Sequence, residues 1–408
     1  MEKYVLGSEE NKLFLKEQLD NLLNFGKNFA APGGGSFYLG MDGTPIESKG
    51  IETWITCRMA HVYSISTLLG NEEDKNLAKQ ALLGLQKFLH DEENGGWYAG
   101  RYLDGTVMPT KQCYAHAFVI LAATSLILAG VEGAKELLKE ALEIYDKYFW
   151  NDKEQMSCDT WNTEFKQLDP YRGINANMHT VEAFLAVADA CGYEDYRKRA
   201  GNIIDRVVAW AKDNNWRIPE HFNDEWEVDL DKNKDKPDDP FKPYGATCGH
   251  GIEWARLIIQ WTCSTYGKDS DDAISYIDAA KKLYERAHMD SWNADGEKGI
   301  VYTTDWDGKP VVRDRMHWTL AEAINTSAVL YNITGEAQYA SDYQEYMQYL
   351  DETVIDHVNG SWYHQLDENN KLKETVWPGK SDLYHAVQSM LIPYLDVEKS
   401  IAFAISEM

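Results

Sequence analysis

The sequence predicts an all-α fold, an (α/α)6 barrel of six inner and six outer helices with short β-hairpins at one mouth. Three observations predict it. Amphipathic helical periodicity recurs about twelve times. The helices alternate strictly between two kinds, and hairpin signals fall between them. The first kind, for example "AKELLKEALEIYDKYF", has an apolar stripe and a charged face, as a surface helix does. The second, for example "CYAHAFVILAATSLIL", is apolar nearly all round and must be buried on most sides. Apolar helices recur about every 55 to 70 residues, which marks a repeat. An inner ring wrapped by an outer one accounts for the alternation.

The hairpin signals are "FYLGMDGTPIES", "GWYAGRYLDGTVMP", "VYTTDWDGKPVV" and a degenerate copy, "SWYHQLDENNKLKE". Asp-Gly between alternating apolar residues favours a tight turn. "DLDKNKDKPDDPFKPYG" reads as a long loop in the fourth repeat, and "PGGGS" as a flexible loop. No linker interrupts the pattern, so residues 1–408 read as a single catalytic domain.

Composition bounds the function. The net charge is −26, from 66 acids against 40 bases, so nucleic acid and anionic membrane are excluded as partners. The N-terminal "MEKYVLGSEENKLFLKE" is too polar for a signal peptide. The longest apolar stretch has about 13 residues, short of the roughly 20 that span a bilayer. The six Cys form no C-x-x-C pair and read as reduced thiols of a cytoplasmic protein. Fourteen Trp and 24 Tyr offer the flat amphipathic faces that sugar sites use, although a large core uses them too.

The inner helices run one way in this topology, so their N-termini gather at one mouth with free N–H groups and a positive field. Buried polar residues need a reason, and these cluster there: Trp54, Arg58 and His61; Tyr114 and His116; Asn175, Asn177, His179 and Glu182; His250 and Glu253; His317, Trp318 and Glu322; His385 and Gln388. Three pairs share one spacing, His179-x-x-Glu182, His250-x-x-Glu253 and His385-x-x-Gln388, which puts both members on one helix face. His61 and His116 are expected to be structural. The His-x-x-Glu pairs resemble half of a di-iron motif, but the chain has no H-E-x-x-H signature and the pairs sit in different sectors, so no metal is expected. Neutral imidazoles at helix N-termini can remove and return a proton near neutral pH. Two of them with an arginine suit proton abstraction beside a carbonyl. Glycoside hydrolysis by two of Glu182, Glu253 and Glu322 stays open, as does non-catalytic sugar binding.

"WITCRMAHVYS", "YRGINANMHTVEAFLA", "YGATCGHGIEWARL", "MHWTLAEAIN" and "GKSDLYHAVQ" together resemble the N-acylglucosamine 2-epimerase superfamily over essentially the whole chain, most of all its aldose–ketose isomerase branch. The resemblance implies a cofactor-free and metal-independent cis-enediol mechanism on a small sugar, with D-mannose to fructose as the leading reaction. A sugar 2-epimerase is the alternative, and a sulfoquinovose isomerase a lesser one. It implies catalytic roles for His250, His385, Arg58 and His179, and substrate binding by Trp54, Tyr114, Asn175, Glu253, Trp318 and Glu322. A sulfonated sugar would need basic or amide donors; Lys242 and Lys380 are the candidates, and the short Ser381 favours a neutral sugar. A homo-oligomer is compatible with the family.

Overall fold

The computed structural model describes residues 2–408. Outer α1 (Glu9–Gly26) is followed by inner α2 (Thr53–Leu68), outer α3 (Lys75–Leu83) by inner α4 (Cys113–Leu128), and outer α5 (Ala134–Tyr148) by inner α6 (Ile174–Cys191). Outer α7 (Glu194–Asp213) precedes inner α8 (Cys248–Tyr266), outer α9 (Asp271–Ser291) precedes inner α10 (His317–Thr334), and outer α11 (Ala337–Tyr349) precedes inner α12 (Tyr384–Ser389). Each inner helix packs on the next, and α12 meets α2 to close an (α/α)6 barrel. The apolar helices are buried as their composition requires: every residue of α8 from Cys248 to Cys263 is buried, and so is every residue of α2 from Thr53 to Thr67.

The residue just before each inner helix makes no side-chain cap, and only at α12 does a side chain serve, where the Tyr384 N–H donates to the Asp382 carboxylate at 3.0 Å. The first N–H of each is instead taken by a carbonyl of the next repeat in five cases: Thr53 by Ala99 at 3.0 Å, Cys113 by Asp159 at 2.7 Å, Ile174 by Glu220 at 3.2 Å, Cys248 by Tyr302 at 3.3 Å and His317 by His364 at 3.1 Å. Short antiparallel pairings run alongside, such as Gly173 with His221 and Met316 with Gln365. The ring is tied shut where the Lys380 N–H donates to the Leu39 carbonyl at 3.0 Å.

All four expected hairpins are present, closed by bonds from Gly40 to Thr44, Tyr102 to Thr106, Asp305 to Lys309 and Asp367 to Lys371. They are longer than two-residue turns, and the residue before the last is left-handed: Gly43, Gly105, Gly308 and Asn370. Asn370 is therefore the reason the fourth copy looked degenerate. Two further turns escaped the sequence reading, at 162–167 and 223–227, because Phe165 and Trp226 occupy the left-handed positions with φ of 55° and 62°. Residues 230–245 form the expected long loop.

Two expectations are corrected, for "PGGGS" and for Lys380, and two features are added, the short last inner helix and a helix after it. "PGGGS" is not a flexible loop: the Gly35 N–H donates to the Gln80 carbonyl of α3 at 2.9 Å, and a Cβ on Gly84 would lie 2.3 Å from the Gly35 nitrogen. The last inner helix is short, because Pro393 has no N–H to continue it, and a 3-10 turn (Ile392–Tyr394) follows. A further helix, α13 (Ile401–Ser406), packs under α2, α4 and α6 and fills the closed end of the ring. Lys380 does not face the mouth. Its ammonium is fully buried on the Asp356 carboxylate at 2.7 Å and the Gly360 carbonyl.

Lys111 is held in the same way, by Asp91 at 2.9 Å and the Gly95 carbonyl at 2.6 Å, in loops of matching sequence, "DEENGGW" and "DHVNGSW". The ammonium holds the Asp91 carboxyl down at about 2 against the opposing effect of burial. Lys111→Met leaves that carboxylate buried without its cation and is expected to cost about 3–5 kcal/mol. Urea denaturation measures it, with Lys12→Met, on an exposed pair, as the control that changes little.

Candidate active site

The N-terminal ends of the inner helices surround one cavity. Nine of the ten singled-out residues line it: Trp54, Arg58, Tyr114, Asn175, His179, His250, Glu253, Trp318 and His385. Glu322, expected at the substrate, lies elsewhere. It is fully buried behind His385, because two side chains claim its carboxylate. His61 and His116 stay out of the cavity, as expected. His116 bonds the Gln112 carbonyl at 2.7 Å and the Trp97 N–H, and His61 bonds the Ser125 hydroxyl at 2.7 Å. Asn177 is also structural, donating to the Ser157 and Gly173 carbonyls. His317 lines the cavity and stacks on His364 at 3.7 Å.

Each of the three histidines expected to act is held at Nδ1 by a buried glutamate. His385 donates to Glu322 at 3.0 Å, His250 to Glu220 at 3.0 Å and His179 to Glu182 at 3.2 Å. A carboxylate only accepts, so the tautomer is fixed with Nδ1 protonated and Nε2 free. His250 and His385 flank one indole: the Trp318 ring lies 5.1 Å from the first and 5.8 Å from the second. The His385 Nε2 faces the guanidinium of Arg58 at 3.4 Å. That guanidinium also donates to the Tyr114 hydroxyl at 2.9 Å, pairs with Asp382 at 3.4 Å and lies over the rings of Trp54, Phe118 and Tyr384.

Burial pushes the His385 imidazole below its ordinary value, against the pull of Glu322, and the positive Arg58 adds to the push. Burial likewise lowers His179 to about 4 and His317 to about 3. The imidazoles are thus neutral at neutral pH and able to accept a proton. Glu322 is held below the usual carboxylate range: burial opposes ionisation, but Arg256 and His385 outweigh it.

A family model for N-acylglucosamine 2-epimerase matches residues 34–389. The chain belongs to the N-acylglucosamine 2-epimerase family. Among relatives in that family, the D-mannose isomerase of Thermobifida fusca is 38% identical over 400 residues, covering 97% of each chain. The D-mannose isomerase of Pseudomonas cannabina pv. alisalensis is 39% identical over 355 residues, covering 87% of this chain and 86% of the relative. A crystal structure of D-mannose isomerase superposes with a TM-score of 0.87 at 26% identity, covering 94% of this chain and 97% of the other. Cellobiose 2-epimerase from Spirochaeta thermophila, at 18% identity and a TM-score of 0.81, shares the fold.

Several residues at this family site escaped the sequence reading. Glu220 sits in a loop 30 residues before His250, where no periodicity marks it. Arg256 stands three residues after Glu253 and bonds Glu322 at 2.9 Å; its charge inside an apolar helix was the available signal. Pro240, Phe241 and Pro243 bring the long loop to the cavity, and Trp377 packs edge-on against Phe241 at 5.4 Å. Two groups bring three metal-type donors within 4.8 Å of one another: His179, Glu182 and Glu253, and Glu253, Glu322 and His385. In both, the histidine Nδ1 is engaged by a glutamate, and Arg256 already supplies positive charge to these carboxyls.

Burial lowers His61 and His179 to about 4 and His116 and His317 to about 3, from 6.5 when unfolded. Between about pH 6.5 and 4 the unfolded chain therefore binds protons that the folded chain refuses, so stability falls as pH falls through that window. A Tm series by differential scanning fluorimetry should decline from pH 6.5 downwards, before the paired carboxylates titrate. A flat Tm from pH 7 to 5 contradicts the burial of these imidazoles.

Proposed function

We propose that this chain is an aldose–ketose isomerase that interconverts D-mannose and fructose by proton transfer through a cis-enediol, as one catalytic domain in a reducing, cytoplasmic setting. The observation that carries the reading is the pair of glutamate-held imidazoles, His250 and His385, on either side of Trp318. Its similarity to the D-mannose isomerases, over 97% of the chain in one case, gives the substrate.

In this reading an imidazole helps open the ring, a role assigned to His250. His385 Nε2 then takes the proton from C2 and returns it to C1 on the same face. Glu322 stabilises the imidazolium formed in between, as a buried carboxylate orients and supports a catalytic histidine elsewhere. Arg58, fixed by Tyr114, Asp382 and three aromatic rings, faces the oxygens on which negative charge develops, while the unprotonated Nε2 of His179 accepts from a sugar hydroxyl. Charge stabilisation by a preorganised donor needs no rearrangement during the step. Trp54, Tyr114 and Trp318 offer faces for the sugar carbons, and Asn175 a polar contact.

A neutral sugar fits better than a sulfonated one. Lys380 is turned away on Asp356, the Lys242 ammonium sits 3.7 Å above the Tyr171 ring, and the wall carries the carboxylate of Asp382 beside the short Ser381. Glycoside hydrolysis needs two available carboxyls. Of the two on the cavity wall, Asp382 is engaged by Arg58, Ser381 and the Tyr384 N–H.

NMR of mannose incubated with the enzyme in D2O should show fructose carrying or exchanging deuterium at C1. Label at C2 with glucose as the dominant product would make it an epimerase, and no change in mannose would end the assignment. His385→Ala should lower kcat by about 10²–10⁴ while the fold persists, the usual worth of a general base. Glu220→Gln, which removes the charge behind His250, should reduce kcat less than His385→Ala does; steady-state assays at saturating mannose compare them.

A further inference from the structure

Glu253 is the anomaly of the site. It is 1% exposed, it lines the sugar cavity, and both of its carboxyl oxygens lack a hydrogen-bond partner among the described residues. Glu322 is its near neighbour: an oxygen of each, with a His385 ring nitrogen, lies within 4.8 Å of the others. Glu322, by contrast, is fully satisfied, one oxygen by His385 and the other by Arg256. Arg256 is asymmetric between the two acids. Its Nε is 2.9 Å from Glu322, a charge-assisted hydrogen bond, and its Nη2 is 3.7 Å from Glu253, too far for one.

The charges around Glu253 do not accommodate another anion. Two guanidiniums, Arg58 and Arg256, face four carboxyls: Glu182, Glu253, Glu322 and Asp382. Beyond these, His179, His385 and the hydroxyls of Tyr114 and Tyr384 complete the surroundings of Glu253. Tyr384 already donates to Glu182, and Glu182 is further held by His179 and Gln388. Like charges this close in a dry site do not both ionise; one carboxyl keeps the proton.

We propose that Glu253 and Glu322 hold one proton between them and that Arg256 directs it to Glu253, so that Glu253 meets the sugar as a neutral carboxylic acid while Glu322 stays ionised behind His385. The consequence for the isomerase reading, on which the kinetic part of this inference rests, is a division of labour. The ionised member supports the imidazolium of His385. The neutral member has an O–H to donate to a sugar oxygen, which an ionised glutamate lacks. Arg256 does not line the sugar cavity, so it is a positioning residue.

Infrared difference spectroscopy of wild type against Glu253→Gln, without sugar at pH 7.5, tests the protonation directly. The expected result is a neutral-carboxyl C=O band in wild type that is missing from the variant and shifts in D2O. Its absence, with Glu253 contributing only carboxylate bands, overturns the proposal. The spectrum needs no substrate, so the band stands or falls independently of the mannose reaction. Kinetics add a second arm. Glutamine mimics a neutral acid that donates, so Glu253→Gln should lose less kcat than Glu322→Gln, which should lose about 10² or more. Equal losses in the two variants, with Tm retained in both, overturn the division. Arg256→Lys should retain the band, and Arg256→Gln should cost activity as Glu322→Gln does and displace the acid limb of the pH–kcat profile. An unmoved profile overturns the role given to Arg256.

Discussion

Backbone N–H groups at the start of a helix have no partner within it, and in this ring the inner helices start in the middle of the protein. Side-chain caps would satisfy them but would also occupy the space a substrate needs, and only α12 uses one, from Asp382. The chain instead supplies carbonyls from the hairpin of the following repeat, from Ala99 for α2 round to His364 for α10. Each inner helix is therefore set by its successor. The mouth stays free for Trp54, Arg58, Tyr114, Asn175 and the histidines, which sit within the first turns. The hairpins are there to complete the helices as much as to shape the cavity.

The second constraint is charge. Arg58 and Arg256 each lie among carboxyls contributed by different helices, and the imidazoles between them are neutral. His179, His250 and His385 are each bonded to a glutamate through Nδ1. Holding Nδ1 fixes where Nε2 points without prescribing which carbon it deprotonates. What the barrel provides is a set of oriented imidazoles around one cavity.

The ring and most of the cavity wall were legible in the sequence for one reason: polar residues inside otherwise apolar helices stand out. Arg58, His179, His250 and His385 announce themselves in that way. Glu322 announced itself too, yet its role was misplaced, since periodicity gives a helix face but not whether a neighbour such as His385 stands in front. Glu220 had no such background, because it sits in a loop among other polar residues. Arg256, three residues after Glu253, carries the same signal as Arg58, a charge inside an apolar helix. The turns at Phe165 and Trp226 stayed hidden because bulky residues hold a backbone shape that glycine or asparagine usually marks.

The ring closes where the Leu39 carbonyl meets Lys380, and the same closure brings Arg58 to Asp382 and His385. Arg58 and His385 are 327 residues apart. On a ribosome adding about 5–20 residues per second, the first wall of the cavity waits roughly a quarter of a minute to a minute for the last. During that wait Arg58 has no Asp382 beside it. An incomplete ring that collapsed early would bury a guanidinium without its carboxylate, and the cost of doing so disfavours premature closure. The residue pair that equips the finished enzyme thus also penalises the half-made one.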